Sequence, residues 1–166
     1  DRDVTGVQTC ALPISLSQSG IVGLGGAVFP THMKLKINQN QTIHTLVINA
    51  AECEPFITCD DMLMRERADE IIQGSLIAQT ILGAEKCVVG IEDNKIEAYE
   101  ALKKAAQKTL VEIKIVPTLY PSGDAKRLIF LLMGIEVPKE KRSVDLGIQV
   151  FNVATVAAIY RYLEFG

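Results

Sequence analysis

The chain has 166 residues, 48% of them hydrophobic, and 17 basic against 20 acidic side chains leave a net charge of −3. With no polybasic run and no basic patch interleaved with aromatics, this balance speaks against a nucleic-acid partner. No apolar run reaches the roughly 20 residues that a membrane span requires, so what is expected is one globular unit with room for a sizeable core.

In chain order, the first fifteen residues stand apart. Val4 to Ile14 resembles the in-frame translation of a widely used short-read sequencing adapter, so residues 1–15 are expected to be a cloning or assembly scar and 16–166 the domain. Gly23, Gly25 and Gly26 then fall within four residues, followed by Phe29, Pro30 and Lys34. Leu35-Lys36-Ile37 reads as a short alternating stretch, and 38–41 as a polar turn. Thr45 to Ala51 is an apolar, β-branched run of the kind found in strands buried on both faces. It ends at Glu52-Cys53-Glu54-Pro55, where Pro55 forces a loop. One helix is predicted from Asp60 or Asp61 to a cap at Gly83.

The pattern then repeats. Cys87 to Ile91 is a second strand, Lys95 to Thr109 a helix capped by Asp93 or Asn94, and Glu112 to Val116 a third strand. Ala125 to Met133 is a helix closed by Gly134, Gln149 to Val153 a fourth strand, and Ala154 to Leu163 a last helix. Strands alternating with helices predict an α/β fold: a Rossmann-like, three-layer α/β/α domain with a mainly parallel sheet, whose strand-end loops gather on one edge. Of the cysteines, Cys10 lies in the tail, and Cys53, Cys59 and Cys87 show no CxxC spacing. No metal site is expected from them, and a reducing compartment is the simplest reading.

Three glycines in four residues let backbone N–H groups close on a phosphate, Phe29 offers a flat apolar face and Lys34 a cation. The alternative is a surface turn followed by a short helix. At the strand ends stand Asn49, Glu52 and Glu54, then Glu92 to Asn94, then Tyr120, Gly123 and Asp124, then Asn152 and Thr155. Amides both donate and accept, which suits a flavin edge or ribityl hydroxyls. Carboxylates repel phosphate, so Glu52 and Glu54 read as nucleoside-side contacts. Asp124 could simply cap its helix, and Asn152 needs partners that either a ligand or the fold could supply. Neither His32 nor His44 belongs to a nucleophilic or acid–base constellation, and no catalytic residue is predicted.

The segments Gly23-x-Gly25-Gly26-Ala27-x-Phe29-Pro30-Thr31-x-x-Lys34 and Ile48 to Pro55 resemble two motifs of the NADH-oxidising flavoprotein subunits of respiratory complex I. Glu52-Cys53-Glu54-Pro55, Leu63 to Arg67, Gly90 to Lys95, Tyr120-Pro121-x-Gly123, Val137-Pro138 and Asn152-Val153-x-Thr155 are more similar still to the C subunits of Rnf (Rsx) electron transport complexes. The resemblance implies non-covalent FMN, held by Gly23, Gly25, Gly26, Lys34, Asn49, Asn152 and Thr155, with NADH as hydride donor touching Phe29 and Glu54. It also implies a cytoplasmic-face, peripheral position on the bacterial inner membrane among other subunits of the complex. The 4Fe-4S clusters and ubiquitin-like-fold segment of such subunits lie in regions this sequence lacks. Ala51 and Cys53 stand where the complex I subunits have Asp and Gly, so part of the pocket differs. A cobalamin reductase-type flavoprotein and a flavin-free scaffold with the same fold are the competing readings.

Overall fold

Val47, Ile48 and their β-branched neighbours build β1 (Thr45–Ala50), a strand whose two faces are both covered. In the computed structural model, which describes residues 12–36, 41–52 and 54–166, β1 lies inside a four-stranded sheet. The others are β2 (Lys86–Glu92), β3 (Val111–Val116) and β4 (Ile148–Asn152), in the order β3-β2-β1-β4 with every pair parallel. Asn49 sits level with Gly90 on one side and with Asn152 on the other. Chain order along the sheet reverses between β1 and β4, the place where open α/β sheets leave a crevice at their carboxyl edge.

The helices are α1 (Leu12–Gln18), α2 (Thr31–Leu35), α3 (Cys59–Glu66), α4 (Ala68–Leu82), α5 (Ile96–Ala106), α6 (Ala125–Met133) and α7 (Val153–Phe165). Alternation along the strands divides the core in two. Leu46, Ile48, Cys87, Val89, Ile91 and Phe151 face a large cluster with α3, α4, α5 and α7. Val47, Val88, Val116, Ile148 and Val150 face a smaller cluster with α6, through Leu128, Ile129 and Leu132, and with Val137. Ile71, Ile72 and Ile77 of α4 are almost wholly buried, each contributing about 1.5–3 kcal/mol relative to exposure. The three-layer α/β/α prediction therefore holds, with unequal layers.

Three local predictions need correcting. The single helix from Asp60 to Gly83 is two, because Arg67 (φ −136°, ψ 37°) leaves the helical region between α3 and α4. The bend lets α3 reach α5, where Arg65 pairs with Glu97, while α4 lies against α7. That second contact is close: a Cβ on Gly74 would run into the Val156 carbonyl oxygen. Neither Asp93 nor Asn94 caps α5, whose N-cap is Lys95 without a side-chain bond. Asp93 instead accepts from the backbone and hydroxyl of Thr118, joining the ends of β2 and β3. Leu35 closes a helix rather than opening an alternating stretch, and Ile37 lies outside the described residues.

The expected boundary at residue 15 falls within α1, whose Leu12 and Leu16 are buried in the larger core. Residues 1–11 lie outside the described part. Among the described residues, no helix is long and apolar enough to cross a membrane.

Candidate functional site at the carboxyl edge of the sheet

Val22 and Pro30 form an isolated antiparallel bridge, with Gly23 N–H donating to the Phe29 carbonyl at 2.7 Å and Thr31 N–H to Ile21 at 3.0 Å. Between them the glycine segment closes into a loop, followed by the short helix α2. Gly26 takes φ +93°, and Val28 takes φ +50° although it is β-branched, a conformation of the kind that persists only where surroundings impose it. The Leu24 N–H donates to Thr155 Oγ1 at 2.9 Å, fastening the loop to the first turn of α7. Gly25 lies over Asn152, and a Cβ there would stand 3.1 Å from Asn152 Cβ. The N–H groups of Gly25, Gly26 and Ala27 meet no acceptor among the described residues.

Asn152 is the N-cap of α7: its Oδ1 accepts from Ala154 N–H at 2.8 Å. Its Nδ2 donates to Asp60 Oδ2 at 2.6 Å. Asn49 is tied down similarly, donating to the Gly123 carbonyl at 2.8 Å and accepting from Ala51 N–H at 3.0 Å. Both amides thus have internal partners, and each keeps one N–H beyond those bonds. The amino end of a 13-residue helix opens beside a loop with unpaired N–H groups, an arrangement suited to an anion such as phosphate. Thr155, Gly25 and Asn152 are brought together, Asn49 is level with them on the neighbouring strand, and Gly23 closes the loop's base.

Glu52 is buried and behaves otherwise than a loop charge. It accepts from Asp60 N–H at 2.8 Å, Asp61 N–H at 3.2 Å and the Cys59 thiol at 3.3 Å, capping α3, and it lies 3.7 Å from Lys95 Nζ. Nothing in the sequence signalled this, since the carboxylate caps a helix seven residues away. The Cys59 thiol is held above its usual range, chiefly by that bond to Glu52. Glu54 is exposed on the following loop. Asp60, expected only as a candidate start of the helix, is pushed up by burial, against the pull of its Asn152 bond. Glu92 is buried with neither oxygen hydrogen-bonded among the described residues; burial pushes it up while Lys95 opposes. Asp124 caps α6 through Arg127 N–H. Cys53 lies outside the described residues, and the buried Cys87 thiol is pushed up to about 12.

Lys34 belongs to an adjoining groove. Its Nζ donates to the Val150 carbonyl at 3.1 Å and stands 5.3 Å from the Phe151 ring centroid. Burial lowers its pKa. The groove, about 600 Å³, is lined by Phe29, Lys34, Lys36, Arg142, Val150 and their neighbours. Lys36 and Arg142, not singled out from the sequence, give it a positive wall. Phe29 and Lys34 thus share one compartment, beside the glycine cradle rather than inside it.

A parallel sheet with a glycine loop docked at its switch point, over a helix amino end, defines a Rossmann-like nucleotide- or flavin-binding class of domain. The particular family is given by sequence: the profile described as the Nuo51 FMN-binding domain matches residues 16–161, and the chain belongs to that family. Among curated relatives, the C subunit of the ion-translocating oxidoreductase complex of Haemophilus influenzae (strain PittEE) is 54% identical over 145 residues, 87% of this chain and 22% of the relative. The protein of the same name from Erwinia tasmaniensis is 49% identical over 166 residues, 99% of this chain and 20% of the relative. The chain thus spans about a fifth of the length of these curated relatives. In fold it is similar to a chain of the NAD+-reducing [NiFe]-hydrogenase crystallised in the H2-reduced state, with TM-score 0.82 and 23% identity, covering 96% of this chain and 31% of that one.

Proposed function

We propose that this chain is the flavin segment of an electron-transfer subunit in an ion-translocating, Rnf-type complex. In this reading residues 16–166 form the FMN-binding domain, and the first fifteen are an addition. The observation that carries it is the glycine loop fastened to Thr155 and laid over Asn152 where α7 begins. The cradle fits the group: the N–H donors of Gly25, Gly26 and Ala27 meet no acceptor among the described residues, a helix amino end points there, and Gly25 leaves no Cβ in the way.

In this reading, backbone N–H groups at Gly25 and Gly26 and the amino end of α7 hold the phosphate. Asn49 and Asn152 offer their remaining N–H groups to the ribityl chain or ring edge. Lys34 supplies a cation from the adjoining groove, where Phe29 offers its face to the dinucleotide. Glu54 stands free for ribose hydroxyls, while Glu52 acts through the α3 cap, holding the wall of the crevice. FMN, when bound, supplies a two-electron acceptor for hydride and passes electrons on singly. No side chain needs to move a proton for hydride transfer. The onward path would run through 4Fe-4S clusters in the rest of the subunit, with the protein peripheral on the cytoplasmic face of the inner membrane.

An anaerobic titration tests this. FMN fluorescence should be quenched on adding the chain, and NADH should then bleach the yellow band. Glu54→Gln should keep its flavin content and slow the bleaching; equal loss of both would mark misfolding instead. A folded chain that leaves FMN unquenched sinks the flavin reading in favour of a scaffold.

A further inference from the structure

Asn152 is held at both ends. Its oxygen receives the Ala154 N–H, and its nitrogen gives one hydrogen to Asp60, 92 residues away in sequence. A flipped amide would set its oxygen against the Asp60 carboxylate and strand the Ala154 N–H, so the orientation is unambiguous. The Nδ2 atom lies 3.6 Å from where a Gly25 Cβ would be, so the amide that keeps a second N–H stands directly beneath the glycine loop. The backbone at Asp60 is itself anchored, since its N–H donates to Glu52 at 2.8 Å. A relay therefore runs from Lys95 through Glu52 and Asp60 to Asn152.

We propose that Asp60 is a positioning residue for the flavin site, locking the Asn152 amide so that its free N–H faces the bound cofactor. The inference rests on the flavin reading above. Asp60 carries its charge in a partly buried place beside Glu52 and Glu54, and burial with those neighbours disfavours its ionised form. A neutral residue would suit the fold better. Stability and ligand binding should therefore not fall together on its removal, as they would for a merely structural hydrogen bond.

The test compares Asp60→Asn and Asp60→Ala in FMN titrations, thermal melts and NMR of the Asn152 side-chain amide. Asp60→Asn keeps an acceptor oxygen and should bind FMN within about threefold of the parent while melting higher. Asp60→Ala should bind about tenfold or more weakly, as for a lost bond to a charged group, without a matching fall in Tm. The two Asn152 amide proton signals should stay well separated in Asp60→Asn and converge in Asp60→Ala. Unchanged affinity in Asp60→Ala, or affinity and Tm falling together in both variants, would overturn the proposal. If the folded parent binds no FMN, the flavin reading fails. The Asn152 signals, read without flavin, then judge the latch alone, and their indifference to Asp60→Ala overturns it.

Discussion

The two flanks of the crevice carry opposite charge and use it differently. On the α3–α5 flank, Glu52 is saturated by two backbone donors, a thiol and Lys95, and Asp60 is bound to Asn152. On the α2 flank, Lys34 meets a neutral carbonyl and no carboxylate among the described residues, and Lys36 and Arg142 stand on the same groove wall. Arg142 alone has an acidic partner, Asp145 at 3.4 Å, with the arginine largely exposed. Glu52 and Asp60 are committed to the wall itself, whereas Lys34 and Lys36 have no carboxylate partner among the described residues. Charge in a motif is therefore no guide to which residue meets the ligand until its partners are known.

The comparison breaks first at Glu52. Replacing it by Ala removes the α3 cap and leaves Lys95 largely buried without its partner, a loss on the order of 3–5 kcal/mol, read as a lower urea midpoint at unchanged slope. A mild loss of stability accompanied by a large loss of NADH oxidation would instead place Glu52 on the ligand side. Next comes Lys34→Ala, which should weaken FMN binding by about 1.5–3 kcal/mol through the lost charge. If flavin fluorescence gives the same affinity as the parent, the cationic flank does not serve the flavin.

The smallest effect belongs to Glu92→Gln. Burial raises the folded-state pKa of Glu92 above its unfolded value, so the native state binds this proton more tightly. Its contribution is fully present below the ordinary carboxylate range and is lost as pH rises through the raised value. Glu92→Gln should therefore gain up to about 1 kcal/mol over the parent at neutral pH, with no gain in acid. An advantage that grew towards low pH would reverse the assignment.

Most of the fold could be read because its cues are local. Three apolar runs and one alternating stretch mark four strands, and α6 begins and ends where Asp124 and Gly134 place it. The break at Arg67 was hidden because no Pro or Gly marks it; it arises where α3 turns to α5 and α4 to α7. The site was half visible. Glycines and strand-end amides announce themselves, but the Asp60–Asn152 bond joins residues 92 apart, and no periodicity encodes such a pair. Gly74 likewise reads as a weak spot in a helix until the Val156 carbonyl is seen pressed against it.

The outer border of β4 bears on how the molecule behaves in a crowd. At Val150 the carbonyl is taken by Lys34 and the N–H by the Gln149 side chain, whose own Nε2 is anchored to the Lys34 carbonyl. At the opposite border, β3 alternates Glu112 and Lys114, paired at 3.3 Å. A stray strand from another copy would find the bonding groups of Val150 occupied on one side and a charged pair on the other. The sheet is thereby guarded against edge-to-edge pairing by a side chain and backbone of α2 on one border and by charge on the other.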